Sequence, residues 1–241
     1  MKNLLSLFVL VLVLAGCQKE NIQEDPTLVE DGVMQSDWQD IDIYTLTPKD
    51  GSPFQKLELS AEMLERTSAV ETRNGNDHAH GNYSITDPRG EAIFYYRTEV
   101  QFAGTENSQG ASGTAAITRH WKDIFGDLGS GAFTINLDAA CLSVVGDDAV
   151  FGGDITSVTG DIPAAPGLED ILLAPGGRVL FKVRDNGQGA NAPADEGHLA
   201  ILINPGGTLT CGIIPADSFF WEFFFANVPV DNPPSEQIVV K

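Results

Sequence analysis

Beyond about residue 76, apolar residues recur at every second position through most of the chain, the period of a strand with one buried face and one wet face. The clearest run is Ile93 to Phe102, which puts Phe94, Tyr96, Thr98, Val100 and Phe102 on one face and Tyr95, Arg97, Glu99 and Gln101 on the other. Before it, Gly81 to Ile85 reads as a strand that turns at Asp87-Pro88-Arg89-Gly90. After it, the glycine-rich stretch 104–113 leads into a strand over Thr114 to Arg119. Phe133, Ile135 and Leu137 alternate next. Cys141 to Val145 and Ala149 to Val158 then form the arms of a hairpin around Gly146-Asp147-Asp148, whose residue types suit a tight turn. Val179, Phe181 and Val183 continue the pattern, as do Leu199, Ile201 and Ile203, and Phe219 to Phe225 supplies a last strand. Many short strands with Gly- and Pro-rich connections predict an all-β fold, an antiparallel β-sandwich or barrel. The 13 Phe residues are enough to fill its core. Tyr95, Phe220 and Phe224 fall on the opposite faces, where they either cover a second layer or line a ligand groove.

The N-terminus breaks this pattern. Leu4 to Leu14 is apolar apart from Ser6, follows Lys2, and ends on Ala15-Gly16-Cys17 before the polar Gln18-Lys19-Glu20. One positive charge, a short apolar run and small residues before a cut make an export signal, and the run falls short of the ~20 apolar residues a spanning helix needs. Leu14-Ala15-Gly16-Cys17 resembles the lipobox of bacterial lipoproteins. That resemblance implies that residues 1–16 are a signal peptide and that Cys17 carries the lipid that holds the mature chain to a membrane. Gln18 stands where an inner-membrane retention signal has Asp, which implies the outer membrane or cell surface. Lys19-Glu20 and Glu24-Asp25 are similar to the surface-export tether of Bacteroidota lipoproteins. The expected organisation is a signal peptide over 1–16, an acidic flexible tether over 17–33, a partly ordered lead-in over 34–75 and a β-rich domain over 76–241. Within the lead-in, Asp40 to Leu46 alternates like a strand and Leu57 to Arg66 fits a short helix.

Composition narrows the partners. The net charge is −20, and Lys2 leaves with the signal, so the mature chain is more acidic still. Nucleic acid and anionic lipid need clustered Lys and Arg, which excludes nucleic acid as a partner. Divalent cations remain open. Of the three cysteines, Cys17 is assigned to lipid; Cys141 and Cys211 either form a disulfide, permitted outside the cytoplasm, or pack as two buried thiols.

The stretch Cys141 to Ile155 followed by Val183 to Asp195 resembles a widespread group of secreted bacterial β-rich proteins. In that group a C-L-x-V-x-G-N-x-A hairpin precedes a D-N-G-E-G-x-x-A-P-P-D loop. This chain departs from the pattern at Asp147-Asp148, Gln188 and Ala194, and the resemblance implies a compact β domain without assigning an activity. Within the loop, Asp185, Asn191, Asp195 and Glu196 with backbone carbonyls form a candidate calcium set, while Asp185-Asn186-Gly187 is equally a tight turn. His78 and His80 flank Ala79, so on a strand they share a face and form an alternative metal pair with His120 or Asp77 as third ligand. No Ser-His-Asp order or H-E-x-x-H motif is present, and no catalytic residue is assigned. The expectation is an envelope lipoprotein, anchored to the membrane through its lipid, whose β domain binds a small molecule, glycan or protein or has a structural role. The alternative is a metal-dependent or carboxylate-based extracytoplasmic hydrolase.

Overall fold

The alternating segments form one antiparallel sheet in the computed structural model, which describes residues 41–58, 76–89, 94–123, 129–187, 192–224, 227–231 and 238–241. The signal 1–16, Cys17, the tether 17–33, residues 34–40 and 59–75 of the lead-in, and Asn191 lie outside the described residues. The strands are β1 (Tyr44–Thr45), β2 (Gln55–Lys56), β3 (Asp77–Thr86), β4 (Tyr95–Asn107), β5 (Gly110–Lys122), β6 (Ser130–Val145), β7 (Asp148–Gly160), β8 (Arg178–Arg184), β9 (Glu196–His198), β10 (Leu202–Asn204), β11 (Asn227–Pro229) and β12 (Ile238–Val240). Two one-turn helices, α1 (Leu168–Leu172) and α2 (Phe220–Phe224), complete the described elements. The order across the sheet is β12-β3-β4-β5-β6-β7-β8-β10-β1-β2, with β9 pairing β8 and β11. The fold is therefore all-β, as the alternation predicts, and β1 and β2 of the lead-in belong to the same sheet. Among the described residues no helix is long and apolar enough to cross a membrane.

Two apolar layers sit on opposite faces of the central strands. One contains Tyr83, Phe94, Val100, Phe102, Ile117, Phe133, Ile135, Phe151 and Phe181. The other contains Ile43, Val150, Leu180, Leu202, Leu209, Ile214, Phe220 and Trp221. Strand β8 serves both, with Val179, Phe181 and Val183 in the first and Leu180 in the second. The long strands reach both layers by slipping register. In β6, Phe133, Ile135 and Leu137 face the first layer. The shift between Ala139 and Cys141 then reverses the parity, so that Leu142 and Val144 face it instead and Cys141 turns to the second. One extra residue exchanges the two faces of everything after it. The two separate segments read from the sequence are thus one 16-residue strand.

The same effect corrects the placement of Tyr95. A register shift between Tyr95 and Arg97 puts Tyr95 inside, 4 % exposed, beside Phe94 and Phe133. Tyr96 is displaced to the half-exposed side. The predicted strand over Phe219 to Phe225 is also corrected: the segment is the helix α2. A continuous apolar run carries no period that separates a buried strand from a buried helix. Local chemistry decides it, because Ser218 accepts from the Phe220 amide through Oγ (3.2 Å) and from the Trp221 amide through its carbonyl (3.2 Å). Phe220 is buried in the second layer.

Cys141 and Cys211 are joined in a disulfide with Cα atoms 5.6 Å apart. It fastens the segment that carries Leu209, Ile214 and α2 onto β6, and so holds the second layer over the sheet. Gly152 on β7 leaves the room: a Cβ there would lie 2.5 Å from the sulfur of Cys141.

Among the described residues no main-chain ladder joins β12 to β8. The outward amides of β12 are instead taken by carboxylates of the loop after β8: Ile238 N–H donates to Asp195 Oδ2 (2.7 Å) and Val240 N–H to Asp185 Oδ2 (3.1 Å). At the other end of β3, the Asp231 amide donates to the Ser84 carbonyl (2.9 Å), and Asp231 accepts from the Thr86 amide and hydroxyl (2.9 Å each). These bonds satisfy edge groups that would otherwise be open to another chain.

Candidate functional site

The hairpin β6–β7 and the loop after β8, the two segments that carry the family resemblance, meet in space. The hairpin turns through Gly146 and Asp147, with Val145 opposite Asp148 and Gly146 at φ 61°. Asp148 then lies opposite Arg184 on β8 and holds it in a two-pronged pair, Nε to Oδ1 at 2.7 Å and Nη2 to Oδ2 at 2.8 Å. Lys182 adds a contact at 3.2 Å. Burial alone would raise the Asp148 carboxyl, but the bonds from Arg184 and the charge of Lys182 outweigh it and hold the group below the usual carboxylate range.

Because the folded value lies below the unfolded one, this stabilisation is complete above the unfolded value and disappears as pH falls through the folded one. Asp148→Asn is therefore expected to lower the thermal midpoint by a constant amount above about pH 5, and the difference from wild type should shrink below about pH 4. A difference that stays constant to pH 2 would remove Asp148 from the acid limb.

The candidate calcium residues have other work in this arrangement. Asp185 Oδ1 accepts from the Gly187 amide (2.7 Å) and Oδ2 from Val240; Asp195 Oδ1 accepts from the Asn186 amide (3.0 Å) and Oδ2 from Ile238. Asn186 Nδ2 donates back to the Ala194 carbonyl (2.7 Å). Glu196 lies 3.8 Å from Arg184. Each carboxylate oxygen of Asp185 and Asp195 thus faces a hydrogen-bond donor, and the motif performs as a lock between β8 and β12. Among the described residues no three His, Cys, Asp or Glu side chains converge as a metal site.

The histidines divide. His78 and His80 share the outer face of β3 with rings parallel within 7° and centroids 6.2 Å apart. His120 is on β5 opposite Arg97, and its Nε2 is 3.1 Å from Glu99 Oε1. His80 is opposite Ala103, six residues along β4 from Arg97, roughly 20 Å at 3.3 Å per residue. The structure brings together the pair and leaves the third histidine elsewhere. His198, a residue no motif marks, is buried at 3 % exposure; its Nε2 lies 2.7 Å from the Trp221 carbonyl and its Nδ1 accepts the Ala200 amide (3.1 Å). These partners place the ring proton on Nε2 and make the residue a fastener for α2.

His78 and His80 instead border a groove of about 1030 Å³ on the outer face of β3, β4 and β5. A second groove of about 580 Å³ continues it to β6 and shares Gly81, Asn82, Phe102 and Ala103 with the first. Register builds two rows across the four strands, His80-Ala103-Thr114-Asp138 and Asn82-Gln101-Ala116-Asn136. Each row spans about 14 Å at the normal strand separation. A Cβ on Gly113, at φ 137°, would lie 2.0 Å from the Ala103 carbonyl oxygen, while on the inner face one on Gly104 would meet the Phe151 ring of the first layer at 2.9 Å. The rim presents amides, hydroxyls and imidazoles, and its charged lining residues, Asp77, Glu106 and Asp138, are all acidic, with the Glu106 carboxylate turned inward to the Leu142 amide. Sequence reasoning isolates His78 and His80 but not the rest, because polar residues on a wet face look alike until the sheet shows which rows adjoin. Comparison with protein-family models, curated proteins and solved structures gives no match.

Proposed function

We propose that the chain is an outer-membrane or cell-surface lipoprotein, anchored through Cys17, whose β domain binds a neutral glycan along the outer face of β3 to β6. The observation that carries the reading is the pair of adjoining grooves with its row of planar amides, Asn82, Gln101 and Asn136. An amide offers a donor and an acceptor side by side, as vicinal sugar hydroxyls require. A rim whose charges are all acidic disfavours anionic ligands. The lipobox and the polar tether support an extracytoplasmic address, where such a ligand is at hand.

The test is calorimetric titration of the mature chain against a panel of neutral oligosaccharides. Saturable binding is expected. Gln101→Ala and Asn136→Ala, each removing one or two hydrogen bonds, are expected to weaken it roughly 3- to 10-fold. Both residues point outward, so the thermal midpoint should hardly move. No binding across the panel, or binding indifferent to both substitutions, overturns the reading.

A further inference from the structure

Of the four histidines, two are engaged by the fold. His120 faces Glu99, and His198 is fixed at both ring nitrogens by the Trp221 carbonyl and the Ala200 amide. The rings of His78 and His80 contact each other, and among the described residues no hydrogen bond or ion pair takes up their nitrogens. Each neutral ring therefore offers one free lone pair, the form in which imidazole ligates a metal.

Strand geometry puts these two lone pairs side by side. Residues i and i+2 of a strand share a face at a spacing of roughly 6.6 Å. Here the rings are parallel within 7° and 6.2 Å apart between centroids. Metal–nitrogen bonds of about 2.0–2.1 Å require the two nitrogens to come within roughly 4 Å of each other. Parallel neighbours close that gap by turning about the Cβ–Cγ bond, a broad torsion for histidine. There is room to turn: on β4 the pair faces only Thr105 and Ala103, and it borders the larger groove. On β12, Lys241 lies opposite His78 and Val239 opposite His80. The Lys241 ammonium opposes a second cation, but its flexible stem lets it turn to solvent.

The donor set selects the metal. Imidazole suits Cu(II), Ni(II) and Zn(II), with Cu(II) the tightest in the general order, whereas Ca(II) and Mg(II) require oxygen. The net charge of −20 concentrates cations near the surface without choosing among them. No third His, Cys, Asp or Glu converges on the pair among the described residues, so the ion's other positions stay open to water or to a ligand in the groove. Open positions mark an exchangeable site rather than a closed structural one.

We propose that His78 and His80 form a two-imidazole site for a borderline divalent transition metal, Cu(II) foremost, on the outer face of β3. The site does not depend on the glycan reading, and either can fail alone.

The experiment is calorimetric titration of copper(II) chloride into the mature chain, free of any histidine tag, with electron paramagnetic resonance of the loaded protein. One Cu(II) per chain is expected, with nitrogen hyperfine splitting. His80→Ala is expected to weaken binding roughly 10- to 100-fold, the loss that removal of a mere supporting group already causes at a metal site. His80 is exposed, so the thermal midpoint of this variant should hardly move. His120→Ala is expected to bind copper as wild type does, and a roughly tenfold excess of Ca(II) should not displace the ion. Binding within about twofold of wild type in His80→Ala, an equal loss in His120→Ala, displacement by calcium, or a spectrum without nitrogen splitting would each overturn the proposal. So would the absence of saturable binding up to about 1 mM.

Discussion

Asp195→Ala is expected to lower the unfolding free energy by roughly 3 kcal/mol, the sum of one buried and one half-buried amide left without an acceptor at about 1–3 kcal/mol each. The amides are those of Asn186 and Ile238, and Asp195 itself is 8 % exposed, so water cannot easily replace the carboxylate. Against a typical domain stability of about 5–15 kcal/mol this is a large share. The loss should be local before it is global. Amide exchange is expected to rise first at Ile238 and Val240 and at Asn186 and Gly187, while β4 to β6 stay protected. Asp195→Asn should recover only part of the loss, since one of its two donors would then face an NH2 group. Urea denaturation of the three proteins measures this directly. A midpoint for Asp195→Ala within about 0.5 kcal/mol of wild type would show that the lock does not hold the flanks together.

Removing the disulfide is expected to cost about 4 kcal/mol in the chain-entropy model, because the bridge spans a sequence separation of 70 residues. The Cys141→Ser/Cys211→Ser double variant tests it without reductant. The consequence should concentrate on the second apolar layer, since Cys211 belongs to the same segment as Leu209, Ile214, Phe220 and Trp221. Trp221 is 1 % exposed, and its indole Nε1 donates to the Pro215 carbonyl (3.1 Å), so loosening this cover should red-shift its emission below the main unfolding transition. Coincident fluorescence and circular-dichroism transitions at an unchanged midpoint would rule out that role. The first layer, built from β3 to β8, does not depend on the bridge for its contacts.

These two devices give the family-like motifs a physical content. The hairpin supplies Cys141 for the cover and Asp148 for Arg184, and the loop supplies Asp185 and Asp195 for the flank of β12. Neither motif lines the outer-face grooves. In this chain the motifs maintain the scaffold, and the proposed ligand recognition falls to the short polar side chains of β3 to β6.

Strand identity was legible in the sequence because alternation is local: each side chain's face follows from that of its neighbour, and no distant contact is needed to read it. The hairpin at Gly146-Asp147 was legible for the same reason. The tertiary structure alone decided where that alternation slips. The bulges near Tyr95 and Ala140 depend on what the partner strand presents, and they moved Tyr95 inside and split β6 between two layers. That Phe220 to Phe224 would be helix was not readable from the alternation, because the run has no period of its own and the bonds to Ser218 decide it. Arg119 shows both sides. Its inward position in Ala115-Ile117-Arg119-Trp121 is visible in the alternation, yet its partners, Thr98, Leu46 and Thr47, come from another strand and a segment far away in the chain. The same holds for Asp185 and Asp195. Their oxygen-rich loop suggests a cation, and while one oxygen of each takes a nearby amide, the other takes the amide of residue 240 or 238, more than forty positions away. A hydrogen-bond partner is a property of space, and the chain's order does not contain it.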